Sequence, residues 1–179
     1  TMVRHSAYRA IQSGCCGYTY GAQGVWNGAW DHGDEATMWG DLPWYDGIDL
    51  PGADQLGHLR RFYEALDWTA LRPDPECFVT ENVFNASLYR PDFSSDPLRR
   101  TVVGFFGETY RRGDGQGSLV GLGGNAYRVQ WFDPRTGLFL DIEDVAMPSA
   151  GVIQLPDKPD DRDWVLLARG PSHVPSLGH

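Results

Sequence analysis

Cysteine is scarce in this 179-residue chain: three residues, Cys15, Cys16 and Cys77, two of them adjacent. Adjacent cysteines rarely bridge, because the eight-membered ring strains the peptide between them. All three are therefore expected as free, buried thiols that act as small hydrophobes. Neither a CxxC nor an HxxxH spacing occurs, so a zinc site has no support, and no metal or cofactor is expected. Long apolar runs are missing as well: no window approaches the length needed to cross a bilayer, so no membrane partner is expected. Basic residues are outnumbered, with 15 Lys and Arg against 24 Asp and Glu, a net charge of −9. They are also scattered, whereas a phosphate backbone wants a basic stripe, so nucleic acid is excluded as a partner. No internal repeat is visible.

Rings and glycines are what the chain has in excess. It holds seven Trp, eight Tyr and eight Phe, and Trp26, Trp30, Trp39, Trp44 and Trp68 all fall in the first 70 residues. The stretch SGCCGYTYGAQGVW, residues 13–26, mixes both kinds. Rings in Gly- and Asp-rich segments cannot all be core. Planar faces beside carboxylates and amides suit sugars, whose C–H groups stack on rings while their hydroxyls take hydrogen bonds. The plainer alternative, rings that staple long loops down, accounts for some of them.

Along the chain, residues 3–14 read as a helix with Val3, Ala7, Ala10 and Ile11 on one face and Gly14 as the stop. CCGYTYGA, residues 15–22, reads as a short buried strand. Residues 24–50 show no period, carry turn chemistry throughout and form a long aromatic loop. Residues 51–66 give a second helix, started by Pro51, with Leu56, Leu59, Phe62, Tyr63 and Leu66 as its stripe. After LRPDP (71–75) the character changes to short strands: CFVTENVF, RTVVGFFG, GSLVGLG, AYRVQWFD, GLFLDIEDV, GVIQLP and DWVLLARG, with a turn at DPRTG. That pattern suggests a small antiparallel β-sandwich.

The order of these pieces resembles a known family. VRHSAYRAIQSGCCGYTYGAQGVW, followed by PWYDGIDLPGADQLGHLRRFYEAL and LRPD, looks like the end of the catalytic domain of apiosidase-like glycoside hydrolases. YRVQWFDPRTG and DWVLLA resemble the small collagen-binding-type β domain that follows it. The resemblance implies that residues 1–72 are the last helix–strand–helix of a (β/α)8 TIM barrel and residues 73–179 a β-sandwich domain. Active sites of such barrels sit at the C-terminal ends of the strands, which makes Tyr20, Gln23 and Trp26 the foremost sugar contacts, with Trp30 and Trp39 next. Tyr18 shares a face with Tyr20 by alternation.

Two carboxylates normally cleave a glycosidic bond, and the resemblance places them on earlier strands, outside this sequence. No catalytic residue is therefore assigned here. The expected partners are a carbohydrate substrate and an N-terminal chain or segment that completes the barrel. Asp31, His32, Asp34 and Glu35 read as a solvated loop, His5 as solvent-facing, and His58 as a helix-surface residue with Asp54 one turn away. Trp131 reads as core, and Asp133 and Arg135 as turn-shaping residues. Two functions follow: a portion of a glycoside hydrolase acting on polysaccharide side chains, or a non-catalytic module binding carbohydrate or protein.

Overall fold

The runs TVVGFF and WVLLAR have no polar face, and a strand of that kind needs a cover on each side. In the computed structural model, which describes residues 2–32, 42–81, 90–110, 117–140 and 145–170, both lie at the centre of an antiparallel sheet. Its strands β1 (Arg72–Pro73), β3 (Asp92–Ser95), β4 (Thr101–Phe106), β10 (Trp164–Arg169), β6 (Tyr127–Asp133) and β7 (Leu138–Phe139) are neighbours in that order, and β8 (Val145–Ala146) also pairs with β6. The register sets Leu166 opposite Gly104 on one side and Trp131 on the other. A second sheet holds β2 (Phe78–Thr80), β5 (Gly117–Leu119) and β9 (Ile153–Gln154), with β5 in the middle.

Alternation sorts the side chains of the central strands into two cores. Val102, Phe106, Val129, Trp131, Trp164 and Leu166 face the second sheet, where they meet Phe78, Leu119 and Ile153. Phe78 stacks on Phe93 at 4.7 Å between centroids, and Trp131, 3% exposed, is core as expected. Val103, Phe105, Phe132, Val165 and Leu167 face the other way. They are covered by α1 (Met2–Gln12) and α3 (Gly52–Glu64) through Tyr8, Phe62, Tyr63 and Leu66. Tyr8 stacks on Phe105 at 5.1 Å and Phe62 tilts against Phe132 at 4.7 Å. Truncating a ring such as Phe105 to Ala in a layer this tight costs about 3–5 kcal/mol. The architecture is thus helices on sheet on sheet, a mixed helix and antiparallel-sheet fold.

Helix α1 is rotated relative to the expected stripe. Its buried residues are Arg4, Ala7, Tyr8 and Gln12, with Val3, Ala10 and Ile11 only half-buried. Arg4 goes inside because Asp163, fully buried at the start of β10, accepts from its Nε at 2.5 Å and its Nη2 at 2.6 Å. Gln12 goes inside because its amide donates to the Val103 carbonyl at 3.0 Å. His5 is also half-buried rather than solvent-facing, its ring edge-on to Phe105 at 5.3 Å. Burial, then the neighbouring Arg9 charge, lowers its pKa. In α3 the deep residues are Phe62 and Tyr63. His58 lies against Arg61, not Asp54, with 2.6 Å between Nδ1 and Nη2.

Two expectations fail in residues 15–22. No strand forms there, and Cys15 and Cys16 are exposed; only Cys77 is a buried thiol. The physical reason is common to both. A strand exists through its ladder, and among the described residues none makes a backbone hydrogen bond to residues 16–21. The segment stays irregular, anchored at Cys15, whose amide donates to the Ala10 carbonyl at 3.0 Å. Strand β3, DFSS, was missed because it alternates no apolar residues; it is held by pairing with β4 and by burial of Phe93, Ser94 and Ser95.

The WFDPRTG motif closes the β6–β7 hairpin. Asp133 accepts from the Arg135 backbone at 2.8 Å, and the Arg135 guanidinium returns to both Asp133 oxygens. It also lies 4.9 Å over the Trp164 ring, whose Nε1 donates to Asp160. Asp133 and Arg135 are turn-forming residues with their hydrogen-bonding capacity spent inside the protein.

Candidate functional site

The aromatic loop is built as two halves locked backbone to backbone. Residues 22–29 wind into consecutive turns, with the Val25 and Trp26 amides on the Ala22 carbonyl and the Ala29 amide on that of Gly24. Residues 43–48 carry the one-turn helix α2 (Trp44–Gly47), and the Trp44 amide donates to the Ala29 carbonyl at 2.8 Å. Glycine is required where the halves meet. Gly24 sits at φ +82°, and a Cβ there would fall 2.3 Å from the Leu42 oxygen. A Cβ on Gly47 would fall 2.2 Å from the Gln23 oxygen. Any other residue would force the halves apart, and the rings they carry would move with them.

Those rings form an outward wall. Trp30, 68% exposed, meets Trp44 edge-to-face at 5.9 Å, and Trp44 meets Tyr45 in the same way at 5.8 Å. Trp26, 58% exposed, lies over Gly21 a few residues away. Beside the wall, His32 Nε2 is 3.6 Å from Asp46 Oδ2, with both side chains largely in solvent. An exposed pair of that kind adds little stability and leaves both groups free to bond to something else. In the same loop, the Asn27 amide and the Trp44 indole nitrogen are buried without a hydrogen-bond partner among the described residues.

The five expected sugar contacts fall in different places. Trp26 and Trp30 are on the exposed wall. Gln23 is half-buried at the seam between the loop halves. Tyr20 is half-buried with its hydroxyl against Gly52, the first residue of α3. Trp39 lies outside the described residues, as do Asp34 and Glu35. Trp44, Tyr45 and Asp46 complete the wall and were not singled out as contacts from sequence; their adjacency in PWYDG, a proline followed by two rings and an acid in a turn-rich stretch, was the available signal.

Concavities lie elsewhere. A groove of about 440 Å³ runs between α1, residues 16–18 and α3, bordered by Ile11, Cys16, Tyr18, Leu56, Leu59 and Trp68. A cavity of about 220 Å³ adjoins it, sharing Ile11, Cys16, Tyr63 and Trp68. Neither is lined by Tyr20, Gln23, Trp26 or Trp30. No group of three or more potential metal ligands occurs among the described residues.

Comparison with known proteins gives this geometry its setting. A family model described as "Apiosidase-like, catalytic domain" matches residues 1–70. The first 70 residues are thus similar to an apiosidase-like catalytic domain. A second model, "Putative collagen-binding domain of a collagenase", matches residues 116–169. Among solved structures, a glycoside hydrolase superposes on 94% of the chain with a TM-score of 0.75 at 18% identity. A family 5 glycoside hydrolase from Bacteroides vulgatus ATCC 8482 superposes on 94% with a TM-score of 0.73 at 17% identity. The chain covers 36% and 35% of those two proteins, so it spans about a third of their length. No curated protein matches the chain. Residues 116–169 are likewise similar to a collagen-binding-type domain, and the fold is one that the two glycoside hydrolase structures share.

Proposed function

We propose that the chain is the C-terminal portion of a glycoside hydrolase, with residues 1–72 closing a (β/α)8 barrel and residues 73–179 forming the β domain behind it. The observation that carries this reading is segment 16–21, largely exposed beside α1 and α3 and without a backbone hydrogen bond among the described residues. Backbone donors and acceptors in that state are a template for a neighbouring strand. The apolar groove beside it would be filled by the same incoming polypeptide, an N-terminal chain or segment that completes the barrel. The acid and base that cleave the glycosidic bond would come from that partner. This chain would contribute the ring wall, where Trp26 and Trp30 stack on a sugar of a polysaccharide side chain while Gln23 and Tyr20 complete the edge, with Trp39 in the same loop.

Co-expression with the polypeptide encoded upstream, followed by assay on a panel of aryl glycosides, tests the proposal. Activity should appear only in the complex. Equal inactivity with and without the partner across the panel overturns it. A second reading, a non-catalytic carbohydrate-binding module, draws on the exposure of Trp26, Trp30 and Tyr45 in the chain by itself. It requires the isolated chain to be monomeric and to bind glycans unaided, which size-exclusion chromatography with a glycan pull-down decides.

A further inference from the structure

Two side-chain contacts cross between the loop halves, and they run in step. Trp30 meets Trp44 edge-to-face at 5.9 Å, and His32 faces Asp46 with 3.6 Å between Nε2 and Oδ2. Each member of the second contact lies two residues beyond its counterpart in the first, and two residues of chain reach at most about 7 Å. The polar pair therefore sits next to the rings, within the span of a short saccharide. At 3.6 Å the pair is not hydrogen-bonded to itself, and its side chains are 63% and 48% exposed. A ring nitrogen turned toward a carboxylate carries the proton, so the pair offers solvent a donor and an acceptor side by side. The charge of the surrounding sequence is one-sided. Between Arg9 and Arg60 it has seven acidic residues and no Lys or Arg.

We infer that His32 and Asp46 are specificity-determining residues of the ring wall, which select a neutral saccharide over a uronate. The inference rests on the reading of that wall as a sugar surface and names the class of sugar it takes. A sugar hydroxyl both gives and takes hydrogen bonds, so a single hydroxyl accepts from His32 Nε2 while donating to Asp46 Oδ2. A uronate carboxylate is an acceptor only. It meets His32 but is left against the Asp46 charge, in a segment with no Lys or Arg to offset the repulsion. The rings grip either sugar by its C–H face, so they do not discriminate. The polar edge does.

The test follows tryptophan fluorescence of the 179-residue chain and its Asp46→Asn and His32→Ala variants. The probes are glucose and galactose oligomers and the corresponding glucuronate and galacturonate oligomers, which differ in carrying a carboxylate at C6. The neutral series should bind about fivefold or more tightly at low salt, and the gap should narrow as salt rises from about 10 to about 300 mM, because screening shortens the reach of the carboxylate. Asp46→Asn keeps the size and an acceptor oxygen but not the charge. It should cut the preference to under about twofold, chiefly by strengthening uronate binding. His32→Ala should weaken the neutral series by about threefold. Uronates that bind the parent chain as tightly as their neutral counterparts, or a preference that Asp46→Asn leaves unchanged, overturn the selection while the sugar surface stands. Binding of neither series removes the sugar surface itself, and the inference with it.

Discussion

Arg4 and Asp163 are 159 residues apart in sequence, 4% and 0% exposed, and joined by two hydrogen bonds of 2.5 and 2.6 Å. This pair pins the first turn of α1 to the start of β10. Removing one partner of a buried pair leaves the other charge without water or counter-ion, and typically costs about 3–5 kcal/mol. Against a total stability of about 5–15 kcal/mol for an ordinary domain, Asp163→Ala should remove roughly a fifth or more of what holds the chain folded. Replacing both partners, as in Arg4→Met with Asp163→Leu, removes the stranded charge and should restore most of the loss. Urea denaturation of the two variants beside the parent chain supplies the numbers, and amide hydrogen exchange supplies the location. In Asp163→Ala, protection should fall first across α1, since that helix loses its polar anchor while Tyr8 and Ala7 keep their apolar one. A loss below about 1 kcal/mol for Asp163→Ala, or a double variant no better than the single one, would show that the pair is wetter than its burial implies and would refute the reasoning.

Lys158 is 3% exposed and donates to the carbonyls of Gly107, at 3.0 Å, and Tyr110. Burial pushes its pKa down to about 8, against the opposing pull of Asp161 and Asp160. Between that value and the 10.5 of an unperturbed lysine the unfolded chain holds a proton that the native chain does not. Stability should therefore rise with pH through this window, by up to roughly 3 kcal/mol, with the full burial cost felt below it; Lys158→Met should flatten the slope in denaturation series from pH 7.5 to 10.5. Thiol labelling of the native chain should reach Cys15 and Cys16 within the dead time of slow reagents and miss Cys77, which is buried and has its pKa pushed up to about 12; if the barrel-completing partner exists, it should protect the first two. Trp26→Ala and Trp30→Ala should each weaken glycan binding by about fivefold or more, as loss of a stacking ring does, while leaving the melting temperature within about 2 °C. A melting temperature that falls sharply would assign those rings to loop stapling instead.

What could be read from the residues themselves followed from how local the determining interaction was. The strands TVVGFF, YRVQWFD and WVLLAR were legible because burial on one or both faces is written in their composition. The DPRTG turn was legible because Asp133 satisfies its own neighbour's amide. The face of α1 was not, because its most deeply placed polar residues are buried by groups distant in sequence: Asp163 takes Arg4 inside and Val103 takes Gln12. Hydrophobic periodicity assigns both to water. The site divides along the same line. That the loop concentrates exposed rings followed from tryptophans in glycine-rich sequence, but which rings share a wall depends on Gly24 and Gly47 bringing residues 22–29 against 43–48. Residues 15–22 carry the argument furthest. Their side chains ask for a strand, and no strand forms there, because strandedness is a property of pairs. Under the proposed function, residues 16–21, which make no backbone hydrogen bond among the described residues, are where a strand of the barrel-completing polypeptide would pair and where that pairing would first be detected.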